Sequence, residues 1–305
     1  MIKLFDQYNE YNQVKDWLDK MDITNYTIND DLTVDVNGHV LFSLTILREI
    51  PIQFGKVSGS FNCSKTLLTT LKGCPKIVGG NFNCSDNKLT SLEYSPKYVD
   101  GSFYCYNNKL TSLEGCSINI GIDLVCYNND LTSLKGCPLE INGSLSVYGN
   151  DLTSLEHCAL KVGRVFFCHQ NLLTSLEYSP KYVGGNFYCY GNKLTSLSGC
   201  PEKINGNFKC HNNNLTSLKD GPLEINGDIS FNDNQITSLN NFPKIVIGVI
   251  EHYNKTELPN EIINFKNIKL ILKYQDEYGI WNSDGSLNEG RWGIFNKDFK
   301  AGILN

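Results

Sequence analysis

Cysteine and histidine are the residues of this chain with the greatest capacity for chemistry, because both can bind metals and act as nucleophiles or bases. The 305 residues include 12 cysteines and 5 histidines. No two cysteines have the C-x-x-C spacing of a zinc site. Only His169 and His211 share a repeat position, and neither has an Asp or Glu beside it that could orient it as a base. The sequence therefore predicts no catalytic residue, no metal site and no cofactor.

The spacing of most cysteines is part of a 21-residue period that runs from about residue 57 to about residue 246. One column of mostly Phe, two of Leu or Ile and one of Val or Ile recur without insertion or deletion. In one turn they are Val78, Phe82, Leu89 and Leu92. A repeat of this kind is typical of a solenoid, in which each turn buries its apolar side chains against its neighbours.

The cysteines occupy two columns of this repeat. In the first column Val147 and Phe231 replace cysteine, which indicates a buried apolar slot that a thiol can fill. Its cysteines are Cys63, Cys84, Cys105, Cys126, Cys168, Cys189 and Cys210. The second column, which we call the corner column, alternates with Ser and Gly and indicates a tight corner. Its cysteines are Cys74, Cys116, Cys137, Cys158 and Cys200. Disulfides between turns and a metal site are the alternatives; buried free thiols favour a reducing compartment such as the cytoplasm.

In each turn of the repeat, a predicted strand is followed by an asparagine. Alternating in-facing and out-facing residues, as in the run from Gly80 to Ser85, predict a short strand, and strands in register would form a parallel sheet along one face. An amide can satisfy backbone groups where the chain leaves the strand. We therefore expect a structural ladder from the column Asn87, Asn108, Asn129, Asn150, Asn171, Asn192, Asn213 and Asn234.

The run Phe82-x-Cys84-x-x-Asn87-x-Leu89-Thr-Ser-Leu92 resembles the leucine-rich repeat, L-x-x-L-x-L-x-x-N-x-L. It is most similar to the short bacterial class found in secreted effectors, but has Phe and Cys in place of Leu and a Gly before the strand. The resemblance covers about two thirds of the chain. It implies a solenoid with a parallel β-sheet on one face and a mostly irregular far side. Residues 25–36 are similar to a segment of uncharacterised repeat proteins of tailed phages.

The two ends of the chain differ from the repeats. Apolar residues at helical spacing, among them Trp17 and Leu18, predict an N-terminal α-helical cap over residues 1–35. Residues 36–254 are the predicted solenoid of about ten turns, and residues 255–305 are the predicted C-terminal α/β cap. All 3 tryptophans lie outside the repeats, where large rings could cover the ends of the core.

The out-facing strand positions carry an aromatic stripe, which we expect on the concave face. Its residues are Tyr104, Tyr106, Tyr127, Tyr148, Phe167, His169, Tyr188, Tyr190, Lys209 and His211. An aromatic surface of this kind often marks a contact with a partner. The alternative is a purely structural ladder, because Tyr favours strands and stacked rings stabilise neighbouring strands. Residues 93–99 also recur letter for letter at 177–183, so gene duplication could have spread some of the tyrosines.

Charge narrows the class of partner. With 27 basic and 32 acidic residues the net charge is −5, and Lys and Arg are scattered, so nucleic acid is not a predicted partner. No apolar run opens the chain and no basic amphipathic segment is evident, so neither a signal peptide nor a membrane contact is predicted. The predicted function is non-catalytic binding of a protein partner through the stripe, and the predicted location is the cytoplasm. If the chain is a phage protein, the location is the host cytoplasm, and the predicted role is to engage or antagonise a host protein, for instance a defence protein. Capture of a nucleotide or glycan on the stripe and a structural role in a virion are the alternatives.

Overall fold

The computed structural model describes residues 2–42, 46–251, 258–265 and 267–304. They form two compact units, Met1–Leu152 with Glu156–Arg164 and Thr153–Leu155 with Val165–Asn305. The chain is a parallel-strand β-solenoid of about ten turns of roughly 21 residues, with few helices, all at its ends. The predicted fold class is confirmed.

Each turn of the repeat has two very short strands, which we call the leading strand and the trailing strand. Strands β1 (Tyr26–Ile28) and β2 (Val34–Val36) form an antiparallel pair, and β2 also pairs in parallel with β4 (Phe54–Val57), so that it stands before β3 (Val40–Leu41) in place of a leading strand. The leading strands are β4 (Phe54–Val57), β6 (Ile77–Val78), β8 (Tyr98–Val99), β10 (Asn119–Ile120), β12 (Glu140–Ile141), β14 (Lys161–Val162), β16 (Tyr182–Val183), β18 (Lys203–Ile204), β20 (Glu224–Ile225) and β22 (Ile245–Val246). The trailing strands are β3 (Val40–Leu41), β5 (Phe61–Asn62), β7 (Phe82–Asn83), β9 (Phe103–Tyr104), β11 (Leu124–Val125), β13 (Leu145–Ser146), β15 (Phe166–Phe167), β17 (Phe187–Tyr188), β19 (Phe208–Lys209), β21 (Ile229–Ser230) and β23 (Ile250–Glu251).

The register of the strands follows the sequence period. In the first unit Phe61 pairs with Phe82 and Phe82 with Phe103, and in the second unit Phe187 pairs with Phe208. The sequence predicts only the trailing strand. The leading strand is two residues long in most turns, so its single buried residue, such as Val78, gives no alternation from which a strand could be predicted.

The core is formed by the predicted columns. The side chains of Val78, Phe82, Leu89 and Leu92 are fully buried, and the same positions are buried in turn after turn. Each turn buries five or six apolar side chains, which offer no hydrogen-bond partners to its backbone. The backbone polar groups of each turn are therefore satisfied by the neighbouring turns. The hydrogen bonds of the parallel strands and of the Asn side chains supply those partners.

The Asn column joins consecutive turns. Nδ2 of Asn87 donates to the carbonyl oxygen of Cys63 in the preceding turn (2.8 Å) and to that of Cys84 in its own turn (3.2 Å). Its Oδ1 accepts from the N–H of Leu68 (2.8 Å) in the preceding turn. The side chain is 9% exposed, so these bonds satisfy backbone groups that water does not reach. The residue before it, Asp86, has a φ of 54°, a left-handed conformation that Asp, Asn and Gly tolerate.

A second ladder lies between the leading and trailing strands. The N–H of Ser144 donates to Oδ1 of Asp123 (2.7 Å), 21 residues earlier, and the N–H of Asp228 donates to Oδ1 of Asn207 (2.9 Å). Gly143, the residue before Ser144, passes close to Oδ1 of Asp123, and a methyl group on Gly143 would overlap that oxygen. This contact explains the glycine before the strand, in which the chain departs from the leucine-rich repeat.

Helices lie at both ends of the chain, as predicted. Helix α1 covers Ile2–Lys20, and the ring of Trp17 lies 5.8 Å from that of Phe42 and 6.4 Å from that of Phe54. The C-terminal helices are α2 (Asn260–Ile263), α3 (Ile268–Tyr278) and α4 (Glu289–Lys300), with a β-bridge between Trp281 and Leu287. The C-terminal cap predicted for residues 255–305 extends outside the described residues at 255–257, 266 and 305. No helix among the described residues is long and apolar enough to cross a membrane.

Candidate functional site

The tyrosines of the predicted stripe in the first unit form a stack of parallel rings. The ring centroids of Tyr106 and Tyr127 lie 4.6 Å apart at an interplanar angle of 7°, and those of Tyr127 and Tyr148 lie 4.5 Å apart at 10°. These distances are close to the spacing of strands in a sheet, about 4.8 Å. The strand register therefore places the rings face to face. We call these three residues the tyrosine stack.

A second stack of three rings lies in the second unit. His169 and Tyr190 have centroids 4.3 Å apart at 19°, and Tyr190 and His211 have centroids 4.5 Å apart at 7°. We call these three residues the histidine–tyrosine stack. Nδ1 of His211 also lies 3.2 Å from Oγ of Ser230.

The remaining residues of the stripe lie beside the stacks, two positions earlier in each turn. Tyr104 is half-buried in the first unit. In the second unit the rings of Phe167 and Tyr188 lie 5.3 Å apart, and Nζ of Lys209 is 5.8 Å from the centroid of the Tyr188 ring. Nδ2 of Asn186 donates to the Tyr188 hydroxyl (2.7 Å) and holds that ring in place.

The stripe is less exposed than a patch of separate aromatic side chains would be. Of its ten predicted residues, His169 is buried, with 7% of its surface exposed, and the others are half-buried. Stacking covers both faces of the central rings, Tyr127 and Tyr190, and leaves the edges of these two rings uncovered by the stack. The stripe therefore presents rigid, partly polar edges.

Burial also controls protonation in the stripe. Burial, together with the neighbouring hydroxyls of Tyr148 and Tyr106, raises the pKa of Tyr127 to about 12. Burial and the nearby His211 lower the pKa of His169 to about 4. Burial and the charge of Lys209 lower the pKa of His211, although Asp233 and Glu251 partly oppose this shift. Both imidazoles are therefore neutral at pH 7.

The contact between Ser230 and His211 does not have the geometry of an activated nucleophile. Oγ of Ser230 donates to Oδ1 of Asn232 (2.9 Å), so its proton is directed away from the imidazole. Ser230 is also 2% exposed, which keeps substrate from its hydroxyl. No group of three or more His, Cys, Asp or Glu residues within the described ranges could hold a metal ion.

The predicted burial of the first cysteine column is confirmed. All seven of its thiols are free and fully buried, whereas Cys137 and Cys200 of the corner column are half-buried. Burial raises the pKa of Cys210 and of Cys137 to about 12. These thiols therefore act as small apolar side chains, because the thiolate is the reactive form.

The structure reveals a more exposed aromatic surface that the sequence analysis does not assign. Tyr94 and Tyr98 in the first unit are 56% and 50% exposed, and Tyr178 and Tyr182 in the second unit are 60% and 48% exposed. These residues belong to the duplicated segment 93–99 and 177–183, whose exact repetition indicates gene duplication and by itself predicts no surface. The signal that could have identified them is that Tyr98 and Tyr182 directly precede the buried Val column and must face outward.

Comparisons with known proteins identify no close relative of this chain. No protein-family model matches it, and no curated protein matches it. Among solved structures the chain is similar to YopM from Yersinia enterocolitica WA-314, with 18% sequence identity and a TM-score of 0.46 over 70% of this chain and 51% of that chain. The chain thus spans about half the length of that structure. By the 21-residue register of its own strands, this chain is a repeat protein whose turns stack as a parallel-strand solenoid.

Proposed function

We propose that this chain is a non-catalytic protein-interaction module that binds a protein partner through the aromatic stripe. The observation that carries the proposal is the pair of ring stacks, in which successive turns of each unit hold half-buried rings and one buried ring, His169, in register. Tyrosine is among the residues that contribute most to binding energy in protein interfaces.

Preorganisation supports this proposal. A side chain that is ordered only on binding loses conformational entropy, which weakens the complex. The rings of Tyr127 and Tyr190 are held between two neighbours each, so they lose little further freedom when a partner covers their edges. Their hydroxyl groups can at the same time form hydrogen bonds with the partner.

The same stacking favours a protein over a nucleotide or glycan. An aromatic platform for a small ligand needs a free ring face on which the ligand stacks. Both faces of Tyr127 are covered by Tyr106 and Tyr148, and both faces of Tyr190 are covered by His169 and His211. These two central rings therefore offer only their edges, which suit the broad surface of a folded partner.

The finer form of the proposal concerns the source of the partner. The similarity of residues 25–36 to repeat proteins of tailed phages suggests a phage protein that engages a host protein, for instance one of its defence proteins. The buried free thiols are compatible with this setting, because they persist in a reducing cytoplasm.

The test is affinity capture from bacterial lysate, followed by measurement of the dissociation constant with the purified partner. The stripe variant is Tyr106→Ala/Tyr127→Ala/Tyr148→Ala, and the control is Tyr94→Ala/Tyr98→Ala, which removes exposed tyrosines of the same unit from a different surface. Circular dichroism first establishes that both variants are folded. We expect the stripe variant to bind at least about 30-fold more weakly, as for loss of an interface hot spot.

The control should bind as tightly as the native chain. The variant Tyr190→Ala/His211→Ala tests the histidine–tyrosine stack in the same way. Binding that survives in both stack variants but is lost in the control would move the interface to the surface of Tyr94 and Tyr98. Binding of AMP or an oligosaccharide that depends on the stacks would instead support the small-ligand function.

A further inference from the structure

A pocket of about 410 Å³ lies in the second unit, between the last turn of the repeat and helix α3. Its floor is apolar: Pro243 and Ile250 are buried, and Val246 and Leu272 are half-buried. Sites for small molecules occupy about 300–1,000 Å³ and have mostly apolar walls with a few polar groups. This pocket has the size of such a site, with an apolar floor and polar groups at its rim.

The rim of the pocket is basic. It carries the exposed side chains of Lys244, Lys269 and Lys273, and Asp276 is the only acidic residue among the described residues that line the pocket. Three ammonium groups and one carboxylate leave a net charge of +2 at the rim, whereas the whole chain has a net charge of −5. The charge of the pocket is therefore opposite to that of the chain.

Helix α3 places this charge where it is unfavourable for the helix itself. Lys269 and Lys273 are four residues apart on one face, and like charges at that spacing destabilise an isolated helix. Lys269 also lies in the first turn of the helix, at the positive end of its dipole. Nζ of Lys269 donates to the carbonyl oxygen of Ile247 (3.0 Å), which holds the ammonium group at the rim. A bound anion would offset all of these repulsions.

We propose that this pocket binds a small amphipathic anion, a carboxylate or phosphate attached to an apolar body. The apolar body lies on Pro243, Val246 and Leu272, and the anionic group lies among the three lysines. The site is separate from the aromatic stripe and does not depend on the function proposed for it.

The probe for the test is 8-anilinonaphthalene-1-sulfonate, an organic anion whose fluorescence increases in apolar surroundings. The pocket variant is Lys244→Gln/Lys269→Gln/Lys273→Gln. The control is Lys181→Gln/Lys193→Gln/Lys219→Gln, which changes the net charge equally at exposed lysines elsewhere in the same unit. Unaltered circular dichroism and thermal unfolding confirm that the variants are folded. If the triple variant is not folded, Lys244→Gln alone replaces it in the test, because Lys244 lies outside helix α3.

We expect saturable binding of one probe molecule to the native chain and to the control, with affinities within about twofold of each other. The pocket variant should bind at least about tenfold more weakly, and Lys244→Gln alone about threefold more weakly. The uncharged analogue N-phenyl-1-naphthylamine should bind the native chain and the pocket variant equally. Absence of saturable binding, or equal affinity in the native chain and the pocket variant, would overturn the proposal, and so would equal losses in both triple variants.

Competition then identifies the anionic group. Decanoate presents a carboxylate on an aliphatic body, and AMP presents a phosphate on an aromatic body. Displacement of the probe by decanoate alone would assign the pocket to carboxylates, and displacement by AMP alone would assign it to phosphates. Displacement by neither, at concentrations up to about 1,000 times that of the probe, would overturn the assignment of a natural ligand of this class.

Discussion

Single buried asparagines connect the turns of this protein. The Oδ1 atom of Asn150 accepts from the N–H groups of Asn129 and Leu131, both at 3.1 Å, and its Nδ2 donates to the carbonyl oxygen of Val147 at 2.9 Å. Only 7% of the Asn150 side chain is exposed. The backbone groups that these bonds satisfy are therefore shielded from bulk water.

The substitution Asn150→Ala should lower the free energy of unfolding by about 3 kcal/mol or more, because each buried backbone group left without a partner costs about 1–3 kcal/mol. Urea unfolding followed by circular dichroism measures the change. Asn142→Ala is the control, since Asn142 is exposed and makes only a 3.5 Å hydrogen bond to the carbonyl oxygen of Gly121. Equal losses in the two variants would contradict the role of the Asn column as a ladder.

His169 makes the stability of the second unit sensitive to pH. Its pKa falls from 6.5 to about 4 in the folded chain, chiefly through burial. The unfolded chain therefore binds a proton at a higher pH than the folded chain does. Neutral His169 therefore contributes about 3 kcal/mol to the free energy of unfolding, relative to the protonated form. This contribution is complete above pH 6.5 and is lost as the pH falls to about 4.

The substitution His169→Tyr should reduce this pH dependence. Tyrosine occupies the same repeat position at Tyr148 and Tyr190, so the ring stack should accommodate it. We expect the native chain to lose about 2–3 kcal/mol more than the variant between pH 7 and pH 4.5, as measured by urea unfolding at the two values. Parallel losses in both chains would show that His169 is not the titrating group.

At the scale of the element, each turn connects its leading and trailing strands through three residues, and the first two of them form a pair that contains at least one glycine. The pair is Gly121-Ile122 in one turn and Asn142-Gly143 in the next. Where glycine holds the first position, the backbone passes close to the preceding turn: a methyl group on Gly121 would overlap the carbonyl oxygen of Asp100. The connection is therefore restricted by backbone contact between turns.

The substitution Gly121→Ala, which leaves this pair without a glycine, should destabilise the protein by about 1–3 kcal/mol, as overpacking does in a core.

The substitution Gly293→Ala should change the free energy of unfolding in the opposite direction. Gly293 lies in α4, and a methyl group at this position would have no neighbour within 4 Å, so alanine should stabilise the chain by about 0.5–1 kcal/mol through its higher helix propensity. Thermal unfolding of the two variants measures both changes, and a stabilised Gly121→Ala would refute the contact.

At the scale of the whole molecule, free thiols are distributed along the repeats of both units. The seven cysteines of the first column are fully buried and make no disulfide. A thiol reagent can reach them only when the surrounding turns open. Their reaction rates therefore report on the opening of the solenoid.

In native buffer at pH 8, Cys84, Cys126 and Cys189 should react with Ellman's reagent at least about 1,000 times more slowly than in urea, because reaction requires unfolding. Mass spectrometry of the labelled peptides identifies the sites. Cys137 and Cys200, which are half-buried, should react first. Rapid labelling of Cys126 in the native state would show that this column is accessible.

The amino-acid sequence by itself determined the period, the core columns and the buried thiols. It could do so because a parallel solenoid places residues 21 apart on top of one another, as Phe82 on Phe61, and every turn therefore repeats the same requirement for burial. The Asn column was evident for the same reason.

Only the tertiary structure decided what depends on the distance between side chains. The leading strands are too short to give a pattern, and the stacking that covers the faces of Tyr127 depends on the strand spacing. The sequence shows Lys244 and Lys269 as scattered charges, since 24 other residues separate them. They share the rim of one pocket because helix α3 lies against the last turn, and a contact made once in the chain leaves no repeated pattern from which it could be predicted.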